Sequence, residues 1–573
     1  MNLWRRRPIV VATVLVLSAS VLLGVAAFVY GFPWILPSDG GDGFGGRARG
    51  ANETGTPAPA SMPARCSGIR MYPGDDLQRA SDAHPEGTTF CLTEGVHRLA
   101  TVIPKSRQRF VGEGEGTILN GSKVMESNAA RPDGAGHWYW GGQTESDEPA
   151  GKLVDPGHGE TPNEGDRFAQ ELFVTSSRRV EDHPTRMRRV TALSELGPGR
   201  WYLDNPTGRL YVAEAPARLG LIERSVMSMA IGAPATFGPS DVTIENLVIE
   251  KYASPTQRAA LAGPGSTDWT IRWVTVRYSH GTGIELGAGT LVEHCKIHHM
   301  GQEGLSGGGN AVKRPTIVRS TEVAYNRTLS FDPEWDAGGA KFGRVYGHGL
   351  VVENSWFHHN SGHGLWFDID NDGVTIRSNR IEGNDRAGIF YEVSRNSQIY
   401  WNEVFGQTNG PDHGVFSGSG IFISNSAEVD VHHNLIRDNA NGIYVLENRQ
   451  ITRWASDSYR RGLPHVDGVR IYDNDVQMPR GITGMRVESE GVVQKLDAVA
   501  YWRDGHVRFA QNTYRLDASE DRFLGPGNLR YTFAQWEALG HDRTSRALPA
   551  ISRGLLPSDA NPFVITDYGA WNV

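Results

Sequence analysis

The stretch Val374-Thr375-Ile376-Arg377-Ser378-Asn379, followed by Asn384, Gly388-Ile389-Phe390-Tyr391-Glu392 and Asn402, decides how the chain is read. It holds a short alternating strand that ends on Asn, a turn, and a second strand led by Gly. Asn379 and Asn402 are 23 residues apart, a length that suits one coil of a solenoid with three short strands and three turns. Similar strands recur at Val242-Thr243-Ile244-Glu245-Asn246, Val429-Asp430-Val431-His432-His433-Asn434 and Val469-Arg470-Ile471-Tyr472-Asp473-Asn474, and a repeat Asn also stands at Asn512. Gly-Ile-aromatic follows at Gly388-Ile389-Phe390, Gly420-Ile421-Phe422 and Gly442-Ile443-Tyr444. Alternation puts Ile389 and Tyr391 inside and Phe390 and Glu392 outside.

The fold class this predicts is all-β: a parallel β-helix, right-handed because parallel crossovers strongly prefer that hand. The Leu-x-x-Leu-x-Leu pattern of a leucine-rich horseshoe is absent. Asn at these turns is expected to tolerate left-handed backbone and to hydrogen-bond in stacked ladders, so its role is architectural.

Outward from the repeat, the β-helix is expected over residues 236–515. A cap and first coil take 64–124, a β-rich insertion 125–235, and a capping segment 516–573. Within the insertion, Asn205-Pro206-Thr207-Gly208 between two aromatic-rich runs predicts a hairpin. Residues 38–63, rich in Gly, Pro, Ala and Ser, read as a flexible linker. Residues 1–37 read as a transmembrane signal anchor: Arg5-Arg6-Arg7 precedes an uncharged apolar run long enough to span a bilayer. A cleaved signal peptide is the alternative, and either way the bulk of the chain is exported.

The 573 residues carry 57 Lys and Arg against 65 Asp and Glu, a formal charge of −8. That balance provides no global attraction to nucleic acid or to anionic lipid, so no nucleic-acid partner is expected. The chain contains 69 Gly and 53 aromatic residues (20 Phe, 18 Tyr, 15 Trp), a mixture suited to short strands and tight turns. Of 3 cysteines, Cys66 and Cys91 are close enough in sequence to pair in an oxidising compartment. Cys295 lies in a strand pattern and is expected to be a buried thiol.

The candidate site follows from aligning the Gly-led strands. The first outward column holds Glu285, Ser306, Lys341, Trp366, Phe390, Phe422 and Tyr444, and the next holds Gly343, Asp368, Glu392, Ser424 and Leu446. Strands about 4.8 Å apart would place the Asp368 and Glu392 carboxylates about 5 Å apart, the separation of nucleophile and acid/base in retaining glycosidases. Close like charges push two pKa values apart, leaving one group protonated to act as an acid. Trp366 and Phe390 suit sugar stacking. Lys341, His363 and Asp336 are further candidates for contact with substrate, with Asp332-Pro333-Glu334-Trp335-Asp336 walling one end.

Gly364-Leu365-Trp366-Phe367-Asp368, followed by Phe390-Tyr391-Glu392-Val393, resembles the β-helix family of retaining β-xylosidases, a branch of the pectate-lyase-like superfold. The resemblance covers roughly residues 338–396 and implies Asp368 as nucleophile and Glu392 as acid/base. Where that family continues Asn-His, this chain has Ser394-Arg395.

The expected function is therefore a retaining glycoside hydrolase on a polysaccharide or oligosaccharide, acting as a monomer. One alternative is a lyase or C5-epimerase on a uronic-acid polymer with Lys341 as base; another is a non-catalytic glycan-binding surface protein. Asp368-Ile369-Asp370-Asn371-Asp372-Gly373 matches the opening of an EF-hand loop, but its twelfth position is Asn379 rather than Glu. No cofactor is expected, calcium at this loop being the lesser reading. The pairs His298-His299, His358-His359 and His432-His433 are read as architectural rather than metal-binding.

Overall fold

The computed structural model describes residues 66–145, 167–175, 183–233, 235, 237–408, 418–448, 465–478, 481–488, 505–517 and 519–549. Short strands stack in parallel coil upon coil and form three faces. Two of these faces make up a 24-stranded sheet and the third a 12-stranded sheet. Thr243–Glu250 and Thr270–Arg277 run through both of the first two faces, joining them into one sheet. The third face runs from Ile231–Gly232 to Phe523–Gly525 in parallel and closes with the antiparallel strand Leu529–Tyr531.

Inside, the period-two alternation stacks like on like. Ile389, Ile421 and Ile443 are in register on successive strands and fully buried, with Tyr391, Ile423 and Val445 beside them. The leading Gly of these strands faces inward: a Cβ on Gly388 would lie 2.5 Å from Val404 Cγ1.

Two amide ladders run through the turns. In one, the backbone N–H of each residue in the series Ser355, Asn379, Asn402, Asn434 and Asn474 donates to the next Asn side chain at 3.0–3.1 Å, ending on Asn512. The other passes through Asn326, Asn360, Asn384, Gln407 and Asn439. The left-handed backbone expected at the ladder Asn falls one residue earlier, at Ser378, Trp401, His433, Asp473 and Gln511. The Asn is held by its side-chain bonds, and its neighbour turns the chain.

An eight-stranded, mostly antiparallel sheet, from Ser122–Val124 to Leu221–Ser225, projects between the early coils with its own core of Trp140, Leu172, Met187 and Trp201. The predicted hairpin is present as Arg200–Asp204 against Arg209–Val212. Helix Leu77–Ala83 and helix Phe533–Ala538 insert Leu77, Phe533 and Trp536 into the core. Cys66 and Cys91 form a disulfide, and Cys295 is a buried thiol. Among the described residues no helix is long and apolar enough to cross a membrane. The expected anchor at 1–37 and linker at 38–63 lie outside the described residues.

Candidate active site

The site lies on the outer surface of the third face. His363–Phe367 and Ile389–Glu392 pair so that Trp366 lies beside Phe390 and Phe367 beside Tyr391. Asp368 follows the first strand and Glu392 ends the second, each one residue beyond the paired Phe367 and Tyr391 on neighbouring strands about 4.8 Å apart. The whole outward column read from the sequence is in register: Glu285 with Ser306, Ser306 with Lys341, Lys341 with Trp366, then Phe390, Phe422 and Tyr444.

Lys341 ties this surface together. Its ammonium lies 3.0 Å from Asp336 Oδ1, 3.0 Å from Asp368 Oδ2 and 3.6 Å above the centre of the Trp366 ring. It also donates to the Trp335 carbonyl. Burial alone would lower its pKa, but the Asp336 and Asp368 carboxylates outweigh that and hold the amine protonated. Trp366 carries the contact onward, its indole N–H donating to Glu392 Oε2 at 3.3 Å. Burial, and then the charge of Asp368, push Glu392 up to about 8, while Lys341 and the indole bond pull the other way.

Asp336, brought in by the loop before Gly338–Gly347, is turned towards Lys341, and its other carboxylate oxygen accepts from Gln257. Burial raises its pKa, partly opposed by Lys341. His363 is 5% exposed and packs at a tilt against Trp366 at 5.0 Å and Phe390 at 4.9 Å. Burial, with Arg386 and Lys341 adding positive charge, lowers its pKa to about 3, so the imidazole is neutral.

Trp366 and Phe390 differ from the expectation that they line an open groove. They are 4% and 6% exposed and stack on each other at 5.4 Å, with Phe422 at 4.4 Å from Phe390. With Ala387, Tyr444, Leu446, Ile482 and Leu524 they make a second apolar core on the outside of the sheet. Aromatic rings at matching positions bury more apolar area against each other than against water. The Lys341 ammonium occupies the Trp366 face that a sugar was expected to take.

Three acids escaped the sequence reading as site residues. Glu303 is buried at the level of His363, since it pairs with Gly338 and Gly338 pairs with His363; burial, then Asp336, raises it well above its ordinary value. Glu285, one column over, is pushed by burial up to about 7. Glu334, named only as part of the loop wall, receives Arg386 Nε at 2.7 Å. Aligning the outward position before the Gly-Ile pair (Thr282, Glu303, Gly338, His363) would have drawn out Glu303.

The paired histidines and the calcium-like loop are engaged with neighbouring side chains. The paired histidines contact ring to ring at 2.8–2.9 Å. His299, Tyr325 and His359 stack along one edge. Asp372, in the calcium-like loop, is committed to Arg395 and Asn396. Among the described residues no group of three or more His, Cys, Asp or Glu is arranged to hold a metal ion. His348 is exposed.

No curated protein matches this chain. Solved structures similar to it include a xylose complex of XylC, at 13% identity and TM-score 0.47, covering 78% of this chain and 82% of that one. Another is the A-module of the mannuronan C-5 epimerase AlgE6 from Azotobacter vinelandii, at 11% identity and TM-score 0.39, covering 83% and 93%. A third is a mannuronic acid specific polysaccharide family 6 lyase from human gut microbiota, at 10% identity and TM-score 0.37, covering 80% and 84%. A family model described as a right-handed beta helix region matches residues 260–453. The described coils and this match together make the chain a right-handed parallel β-helix protein.

Proposed function

We propose that this chain is an exported retaining glycoside hydrolase, with Asp368 as nucleophile and Glu392 as acid/base. The observation that carries the reading is the asymmetry between two neighbouring carboxyls. Asp368 is ion-paired to a protonated lysine at 3.0 Å, while Glu392 is pushed up to about 8 and keeps its proton at neutral pH. A retaining glycosidase needs one ionised carboxylate to attack the anomeric carbon and one protonated carboxyl to release the leaving oxygen. After the glycosyl-enzyme forms, Glu392 has lost its proton and takes one from the attacking water, which restores both groups. Lys341 neutralises charge beside Asp368 without entering the reaction. The Cys66–Cys91 disulfide supports an oxidising compartment. With residues 1–37 as a single-pass anchor, the β-helix would lie outside the cell membrane; cleavage there would release it.

A lyase or epimerase fits less well. Its base would be Lys341, which two carboxylates hold protonated, so it has no free electron pair with which to take a C5 proton. The deciding experiment is a screen of the full chain against neutral and uronic-acid polysaccharides and 4-nitrophenyl glycosides. Release of reducing sugar with retained anomeric configuration is expected. An ultraviolet-absorbing unsaturated product would replace this reading with a lyase, and binding without turnover would replace it with a non-catalytic module.

A further inference from the structure

His363 is a polar side chain in this site that the proposed chemistry leaves unused. It is buried, and neither ring nitrogen has a hydrogen-bond partner. An imidazole left so costs stability unless a ligand or water completes it. Its Nε2 lies 4.0 Å from Glu334 Oε2. That is too long for a direct hydrogen bond, but one hydroxyl oxygen set to the side of the line joining the two atoms can reach both.

The surroundings hold both groups in place. Glu334 Oε1 is taken by Arg386 Nε at 2.7 Å, leaving Oε2 towards the imidazole. Arg386 is itself 2% exposed, so the pair is anchored on its inner side. Trp366 and Phe390 pack against the His363 ring and fix its plane. Trp366 in turn bonds Glu392, so the gap adjoins the acid/base.

We propose that His363 and Glu334 together clamp a single hydroxyl of a neutral pyranoside, which donates to Glu334 Oε2 and accepts from His363 Nε2–H. Arg386 positions Glu334 and does not touch the sugar. The neutral imidazole provides no charge for a uronate carboxylate, and Arg386 already spends its charge on Glu334. The substrate class is therefore an uncharged sugar with one free hydroxyl at a position this clamp reads. This rests on the site assignment made for the hydrolase, and deepens it.

The test uses the full chain, 4-nitrophenyl β-glycosides of neutral pyranoses, their monodeoxy derivatives, and the matching β-glucuronides. His363→Phe and Glu334→Gln should each lower kcat/KM on the parent neutral glycoside by about 10- to 100-fold, the loss of one charge-assisted hydroxyl contact. The double variant should lose little more than either single, because both groups hold one hydroxyl. On one monodeoxy glycoside alone, wild type should fall by a similar factor and both variants should lose no further activity. A penalty that persists on every deoxy position would reveal a purely structural role and overturn the clamp, as would an absent penalty or faster turnover of the glucuronide. Calorimetric titration with the methyl glycosides keeps this separate from the hydrolase reading. If no glycoside is cleaved but a neutral methyl pyranoside binds wild type and not His363→Phe, the clamp stands and the hydrolase falls. If neither methyl pyranoside nor methyl glucuronide binds, the clamp is refuted.

Discussion

Asp368 and Glu392 are one strand apart and nearly equivalent in sequence context, yet their surroundings differ: Asp368 is paired to Lys341, and Glu392 is pushed up to about 8. Asp368→Asn should reduce turnover by roughly three orders of magnitude or more, as expected for loss of a covalent nucleophile, with an unchanged circular dichroism spectrum. Glu392→Gln should cost about 10²- to 10⁴-fold on glycosides with poor leaving groups and much less on 4-nitrophenyl glycosides, which need no acid. Turnover by the wild type should fall as pH rises through about 8, where Glu392 gives up its proton. The same shift has a signature in stability. Glu392 goes from 4.5 to about 8 on folding, so between these values the folded state keeps a proton that the unfolded chain has released. Stability then decreases as pH rises across that window. Glu392→Gln removes this loss, so its melting temperature should exceed that of wild type by more at pH 8 than at pH 5. A constant difference would mean that Glu392 titrates as an ordinary glutamate.

At the scale of the element, the Asn ladder is the device most open to measurement. The Asn402 side chain donates to the Ile376 carbonyl at 2.9 Å and to Asn434 Oδ1 at 3.0 Å, and accepts from the Asn379 amide at 3.1 Å and side chain at 3.0 Å. Asn402→Ala strands several buried polar groups at once, each costing about 1–3 kcal/mol. A loss of about 3–5 kcal/mol in denaturant unfolding is expected, with faster amide exchange at Asn379 than at Ile389. The ladder also explains where the repeat stops. Asn512 donates to Asp542 Oδ1 at 2.9 Å rather than to another Asn, and Trp536 of the last helix donates to Asp542 Oδ2 at 2.8 Å. One acid thus ends the ladder and seats the cap. The Gly-led strands and their Asn partners were legible beforehand because each obeys a local rule of spacing. The left-handed residue was not, since Ser378, Trp401 and His433 share no chemistry, only a place in the turn.

Across the whole molecule, the insertion is fastened to the coils by a buried ionic knot. Glu223, on Leu221–Ser225, is 1% exposed and receives Arg98 at 2.6 Å and Lys251 at 2.5 Å, with Asn120 and Ser122 also donating to it. Burial would raise its pKa, but the two cations overcome this and lower it. Its contribution to stability is therefore full above the ordinary carboxylate value and lost as pH falls through the lowered one. Glu223→Ala leaves Arg98 without its counter-charge and Lys251 with Glu250 alone, and breaking a buried pair costs about 3–5 kcal/mol. Proteolysis should then begin within residues 122–225 while the repeat array keeps its strand signature; cleavage spread evenly along the chain would count against a separately fastened insertion.

The sequence by itself determined the solenoid, the registered outward column and the adjacency of Asp368 and Glu392, because a period-two strand inside a regular coil leaves each residue one face and one pair of neighbours. It also marked the hairpin at Asn205-Pro206-Thr207-Gly208 and the buried thiol of Cys295, but left the Cys66–Cys91 pairing to the structure. Only the tertiary structure decided that Trp366 and Phe390 turn into a covered aromatic stack, that Lys341 sits between Asp336 and Asp368, and that Glu334 and Arg386 close around His363. The loop that carries Glu334 and Asp336 has no repeat and no period. Where such a loop lands is set by packing and charge against strands distant in sequence, and by no rule of spacing along the chain.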